Sequence, residues 1–193
     1  MENQKKYNIL YADPPWQYER KKVQGAAEWH YSTMSVDEIC RLGVEELAEK
    51  DAVLFLWATF PKLPEALQVI KAWGFQYKTV AFVWVKQNKS GIGWFFGLGF
   101  WTRGNVEICL LATKGKPHRQ SNRVHQLIIS PLQEHSKKPD EAREKIVELM
   151  GNLPRLELFA RKKTDGWDIW GNEVVNDVEI DLYPDKTGGD VCV

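Results

Sequence analysis

Apolar residues in this chain fall in short blocks broken by turn-forming residues, a pattern of buried strands alternating with short helices. Residues 7–12, YNILYA, form the first block, and Pro14 with Pro15 ends it because proline cannot continue a hydrogen-bonded ladder. A core strand is expected there. The stretch SVDEICRLGVEEL from Ser35 has a capping-box spacing (Ser35, Glu38) and apolar residues at Ile39, Leu42 and Leu47, which predicts one helix, weakened by the interior Gly43. Residues 52–58 read as a second apolar strand. LPEALQVIKAWG follows, with Pro64 suited to a first helical turn and Gly74 to a stop. Residues 76–85 and 106–113 are rich in β-branched and aromatic side chains and predict two more strands, with 124–129 a weaker one. PDEAREKIVELMG carries acids in its first turn and Gly151 just past its end, which predicts a helix. Short strands at 156–160 and 168–170 close the pattern. Strands alternating with helices predict an α/β fold: an open twisted sheet with helices on both faces.

Composition sets the scale. The 193 residues suit one domain, expected over 1–175, with an acidic tail at 176–193. Hydrophobic residues make up 44%, enough for a core, so global disorder is excluded. The longest apolar run, 52–60, is far short of the roughly 20 residues a membrane helix needs, and the start MENQKK leads into no signal-peptide core. Three cysteines, Cys40, Cys109 and Cys192, lack a CxxC pair, so neither a disulfide framework nor a zinc site is expected and a reducing cytoplasm is the default location. His30, His118, His125 and His135 show no metal-ligand spacing, so no metal is expected.

Formal charge is zero overall but strongly polarised along the chain. Residues 66–133 hold nine bases against the single acid Glu107, a local charge of +8, whereas 164–193 hold eight acids against Lys186, a local charge of −7. The basic middle also carries Trp73, Trp84, Trp94, Trp101, His118 and His125. Such a segment fits a nucleic-acid track, with bases on phosphates and aromatics stacked on nucleobases. A solvated loop face is the plain alternative.

In open α/β sheets ligands gather at the carboxyl ends of strands, so the residues after the first strand carry the chemistry. They are Asp13, Pro14, Pro15 and Trp16. A proline turn lacks N–H donors and offers mainly acceptors: the Asp13 carboxylate and the carbonyls around Pro14. Such a corner suits an exocyclic amine. As an amine nitrogen attacks a methyl group, positive charge grows on it, and a carboxylate beside it favours the transition state over the ground state. Trp16, Tyr18 and Tyr31 are candidates to stack on an extruded base. Lys86, Arg103 and Arg119 are the candidate substrate-binding cations. Read alone, DPPW is also a common turn with a tryptophan packed at a sheet edge.

DPPW, HYSTMSVDEI from His30, FVWVK from Phe82, SKKPDE from Ser136, ELFAR and the later WDIWGNE together resemble the adenine-N6 methyltransferase family, in the same order from about Tyr7 to Glu173. The resemblance implies a Rossmann-like, S-adenosylmethionine-dependent methyltransferase whose motifs are permuted, the catalytic strand first and cofactor elements last. It implies that Asp13 and Pro14 hold the target amine, that Tyr31 lines the adenine pocket, and that Lys138 reaches the cofactor carboxylate. It further implies that Glu157 and Arg161 contact the cofactor ribose, with Asn172 and Glu173 near its sugar or adenine. Without the resemblance, Lys138 reads as a solvated helix-start residue and Glu157 with Arg161 as a surface ion pair.

The chain departs from the pattern in places. Glu173 stands where a relative has glutamine, and an acidic cofactor contact expected upstream of the catalytic strand has no counterpart in the six residues before Tyr7. GIGWFFGLG, from Gly91, has the wrong spacing for a dinucleotide loop and reads as a lid or substrate loop. Asn105 and Glu107 are expected near the site and are left without a role. The expected substrate is nucleic acid, DNA before RNA, with a homodimer plausible for so small an enzyme. Cytosine-N4 methylation and a non-catalytic nucleic-acid-binding subunit are the competing readings.

Overall fold

The computed structural model describes residues 5–18, 33–99, 101–134 and 136–182. Seven strands form one mixed sheet: β1 (Tyr7–Ala12), β2 (Ala48–Ala58), β3 (Gln76–Gln87), β4 (Val106–Lys114), β5 (Leu127–Pro131), β6 (Arg155–Leu158) and β7 (Asp168–Trp170). Their order is β5-β3-β4-β2-β1-β6-β7. Only β4 runs against its neighbours; the pairs β1–β2, β1–β6, β6–β7 and β3–β5 are parallel.

Central strands are covered on both faces, which is why they read as continuous apolar blocks rather than alternating ones. Along β2, Ala52, Leu54, Leu56 and Ala58 face one core while Val53, Phe55 and Trp57 face the other. The first core is roofed by α1 (Val36–Cys40), α2 (Val44–Leu47) and α3 (Leu63–Ala72), through residues such as Ile39, Leu47, Val69 and Ile70. The second is roofed by α4 (Glu141–Met150) through Ala142, Ile146 and Met150. Helices therefore lie on both faces, as the pattern predicted.

Two local expectations change. The single helix expected from Ser35 is two, α1 and α2. The capping box at its start is present, with the Glu38 N–H donating to Ser35 Oγ at 3.2 Å and the Ser35 N–H to Glu38 Oε2 at 2.7 Å. At Leu42 and Gly43 the backbone leaves the helix to pair with the C-terminal segment: Leu42 bridges Leu182, and the Gly43 N–H donates to the Asp181 carbonyl at 3.0 Å. The same contacts tie down the first part of the acidic segment. Asp177 accepts from the Ile169 N–H at 2.8 Å, Asn176 Oδ1 accepts from the Gly171 N–H at 2.7 Å, and Val178 and Ile180 pack on the first core. The acids from 177 to 181 alternate with apolar residues, and that alternation lets the segment lie on the domain rather than trail from it. Among the described residues no helix is long and apolar enough to cross a membrane.

Candidate active site

The site grows from the end of β1. After Ala12 the two prolines turn the chain, and the Trp16 N–H folds back onto the Pro14 carbonyl at 2.9 Å. The turn is pinned to residues next to α1: the Met34 N–H donates to the Pro15 carbonyl at 2.9 Å, and the Gln17 N–H to the Met34 carbonyl at 3.1 Å. Trp16 is buried, and its indole N–H donates to the Trp57 carbonyl at 3.1 Å. Trp57 in turn donates to the Tyr11 hydroxyl at 2.8 Å. Trp16 is therefore an anchor that fixes the turn against β2; it is buried rather than free-standing, and it also lines the cavity beside Asp13.

This framework presents Asp13 to a cavity of about 60 Å³, lined among others by Pro14, Tyr18, Thr59, Glu107 and Lys138. That volume takes the amine end of a base, and a ring must extend outward from it. The Tyr18 hydroxyl is held 2.6 Å from Thr59 Oγ1, and the Lys62 ammonium lies 5.4 Å from the Tyr18 ring centroid, so this ring is fixed at the mouth.

The corner is not made of acceptors alone. Lys138, buried just before α4, donates to Asp13 Oδ2 at 2.7 Å and to the Ser136 carbonyl at 3.2 Å, and its ammonium lies 3.4 Å from Glu107 Oε2. Glu107 Oε1 pairs with Lys86, whose ammonium also sits 5.0 Å from the Trp84 ring centroid. Asp13, Lys138, Glu107 and Lys86 form a chain of alternating charge with no net charge. Only about 27% of the Asp13 side chain meets solvent. Burial raises its carboxyl above the ordinary carboxylate range, and the Lys138 cation opposes that rise. Burial would also raise Glu107, but Lys138 and Lys86 together outweigh it and hold this carboxyl below its usual range.

Glu107, named from the sequence but given no role, is the acid that joins the two lysines. As the one acid in a basic stretch, at the start of a strand antiparallel to β2, it was the natural partner for a cation from elsewhere. Lys86 is engaged inside this chain of charges rather than offered to phosphate. Arg103 donates to the Gly97 carbonyl at 2.9 Å and the Phe96 carbonyl at 3.3 Å, closing the loop between β3 and β4 on itself. Arg119 lines a different cavity, of about 490 Å³, together with Thr79, Leu111, Thr113 and Met150. From Glu107 to Thr113 the strand advances by six residue steps, about 20 Å at roughly 3.3 Å per step, so Arg119 lies toward the far end of the sheet. Trp73 and Trp84 of the expected aromatic track are buried in the two cores, whereas Trp94 and Trp101 are exposed, Trp101 completely. Tyr31 and His30 lie outside the described residues.

The expected cofactor residues divide. Glu157 is buried on β6, and both its oxygens are taken by Arg143 of α4, Oε2 by Nε at 2.8 Å and Oε1 by Nη2 at 2.5 Å. This is a buried pair with Arg143, not the surface pair with Arg161 that the sequence alone suggested. Arg161 is exposed just beyond β6, and its charge reaches Asp13. Asn172 and Glu173 are exposed in the turn after β7. Gly171 before them is required by packing: a Cβ there would sit 2.1 Å from the Ala160 carbonyl oxygen. Lys138, Arg161 and Asn172 stand at neighbouring carboxyl ends of β1, β6 and β7. A buried cation, an exposed guanidinium and an amide suit the carboxylate and hydroxyls of S-adenosylmethionine.

Comparison with known proteins gives the family. The chain is 34% identical over 197 aligned residues to the type II methyltransferase M.MunI of Mycoplasma sp, covering 91% of this chain and 82% of the relative. It is 31% identical to an N(6)-adenosine-methyltransferase MT-A70-like protein of Arabidopsis thaliana and 29% identical to the N(6)-adenosine-methyltransferase catalytic subunit METTL3 of Homo sapiens. These matches cover 87% and 88% of this chain but only 24% and 28% of the relatives, so the chain spans about a quarter of their length. The MT-A70 family model runs from residue 7 to residue 173, from the first residue of the strand that presents Asp13 to the turn after β7, and the chain belongs to that family.

Proposed function

We infer that the chain transfers a methyl group to the N6 amine of adenine in nucleic acid. The observation that carries this is the Asp13–Pro14 corner: a partly buried carboxylate and a carbonyl at the carboxyl end of a central strand, in a cavity sized for an amine. Adenine's amine has two N–H donors and a lone pair delocalised into the ring. Asp13 accepts one N–H and the Pro14 carbonyl, which has a lone pair beyond the one Trp16 uses, accepts the other. Held so, the nitrogen loses conjugation and presents its lone pair. S-adenosylmethionine, when bound, would supply the electrophilic methyl group and leave as the neutral thioether, its sulfur keeping the electron pair of the broken sulfur–methyl bond. As the N–C bond forms, the nitrogen becomes positive beside the Asp13 carboxylate, which then takes or relays its proton.

The remaining assignments belong to the same proposal. Lys138 reaches the cofactor carboxylate, Arg161 and Asn172 its sugar, and Glu173 the edge beyond. Tyr18 and Tyr31 flank the base. Glu157 anchors α4 to β6 through Arg143. DNA is the favoured substrate, because the chain matches four fifths of the length of a type II methyltransferase and only about a quarter of that of the N(6)-adenosine-methyltransferases. RNA is the alternative.

The test is incubation with labelled S-adenosylmethionine and matched DNA and RNA oligonucleotides, followed by nucleoside identification. N6-methyldeoxyadenosine is expected. N4-methylcytosine, or no transfer with intact cofactor binding, overturns the reading. Asp13→Ala is expected to lower turnover by about 10²–10³-fold, the scale of losing one preorganised transition-state partner, while circular dichroism and the unfolding midpoint show a standing fold.

A further inference from the structure

The acceptor that the target amine needs is already taken. Lys138 donates to Asp13 Oδ2 at 2.7 Å, and an ammonium buried to this degree cannot be left without a counter-ion when an amine arrives. The second carboxylate supplies one. Glu107 Oε2 lies 3.4 Å from the same ammonium, and Lys86 holds Glu107 Oε1, so the Glu107 carboxylate is fixed in place before it is needed. The Ser136 carbonyl, at 3.2 Å, and the Trp57 ring, its centroid 5.9 Å away, complete a seat for Lys138 beyond Asp13.

We propose that Glu107 is a positioning residue: it draws Lys138 off Asp13 when the adenine amine enters, so that Asp13 exchanges a fixed cation for the amine N–H without stranding a buried charge. Before the exchange the ammonium weakens Asp13 as an acceptor. After it, Asp13 pairs with the amine, Lys138 pairs with Glu107 while still reaching the cofactor carboxylate, and the charge that the protein's own residues bring to the cavity is unchanged. Lys86 makes the step possible, because an untethered Glu107 would close on Lys138 permanently or turn away. The inference rests on the reading of Asp13 as the amine acceptor. It adds Glu107 and Lys86, which the motif resemblance left without a catalytic part.

The groups facing this ammonium and Asp13 are Glu107 and Cys109 of β4, Lys86 of β3, Tyr11 of β1 and Arg161 after β6. The measurement is methyl transfer against pH for Glu107→Gln and Glu107→Asp in the full chain. Glu107→Gln is expected to lower plateau turnover at least tenfold. It also moves the acidic limb of the profile to lower pH, because the Glu107 charge works to keep Asp13 protonated. Glu107→Asp restores part of the turnover and the original limb. Plateau turnover within twofold of the wild type, or a tenfold loss with an unmoved limb in both variants, overturns the proposal.

A second measurement needs no variant to fold well at Glu107. The ¹⁵Nζ resonance of Lys138 in the wild-type chain, assigned by its loss in Lys138→Arg, is followed as oligonucleotide is added with S-adenosylhomocysteine present. An oligonucleotide with one adenine is expected to shift it, whereas the same oligonucleotide with purine in place of adenine, lacking the amine, leaves it in place. Equal responses, or none, reject the exchange. If the wild type methylates adenine and these results fail, only the role of Glu107 falls. If the wild type transfers no methyl group, the reading of Asp13 falls with it.

Discussion

Asp13 is a carboxylate asked to stay ionised in a place that disfavours ionisation. Burial pushes its pKa up, Glu107 pushes the same way, and Lys138 and Arg161 pull it down. In the reaction proposed above the amine needs the ionised form, because a protonated carboxyl offers a weaker acceptor and no charge to the nitrogen that becomes positive. Activity should therefore fall as pH drops through the folded-state pKa of Asp13. Removing the cation raises that pKa further, so Lys138→Met is expected to move the acidic limb of kcat/KM to higher pH, the direction opposite to Glu107→Gln. The two profiles measured side by side settle the sign, and an unmoved limb in Lys138→Met removes Lys138 from the environment of Asp13. The buried thiol of Cys109 feels the same surroundings: burial and the Asp13 charge push it well up, so it is inert at neutral pH.

At the scale of elements, the frame of the site depends on how α4 is joined to β6. Arg143 and Glu157 form a two-pronged pair with side chains only 11% and 9% exposed, and Asp140 at the start of α4 adds a third bond to Arg143 at 3.0 Å. Removing one partner leaves a buried charge alone, at a cost of about 3–5 kcal/mol, whereas replacing both with apolar residues of similar volume is often neutral. Arg143→Met is thus expected to lower urea stability by about 3–5 kcal/mol, and Arg143→Met with Glu157→Leu to recover most of it. If the double variant keeps S-adenosylmethionine affinity, Glu157 is an anchor; a tenfold loss of affinity in a chain of wild-type stability returns it to the ribose. This pair also shows where sequence legibility stops. The central strands were legible because both their faces are buried, and α4 because its acids, apolar stripe and Gly151 agree. The turn at Asp13 and Pro14 was legible as the end of a buried strand stopped by prolines. Arg143 and Glu157 lie fourteen residues apart on different elements, and Glu107 meets Lys138 across thirty-one. Local spacing carries no signal for ion pairs that only the strand order β4-β2-β1-β6 brings together. The break at Gly43 was hidden likewise, since its cause is a contact with residues 181 and 182.

Across the whole molecule, the basic middle of the chain is not one continuous track. Lys86, Arg103 and Lys114 are engaged by Glu107, by loop carbonyls and by Glu45. The side chains of Lys89, Lys116, Arg119 and Arg123 make no hydrogen bond or ion pair among the described residues. Three of these four stand in the segment after β4, toward the far end of the sheet, while the loop between β3 and β4 carries the exposed Trp94, Phe96 and Trp101. Charge and stacking are therefore divided between two places, and they weaken binding in distinguishable ways. Each phosphate contact contributes about −0.9 to the slope of log affinity against log salt for duplex DNA, whereas stacking contributes affinity with little salt dependence. Arg119→Glu with Arg123→Glu is expected to weaken DNA binding more than tenfold and to flatten the slope by about 2, with turnover at saturating DNA unchanged. Trp101→Ala is expected to weaken binding with the slope intact. A double reversal that leaves the slope where it was would show that nucleic acid never crosses the far end of the sheet, and the grip would then lie wholly with the loop and the rim around Asp13.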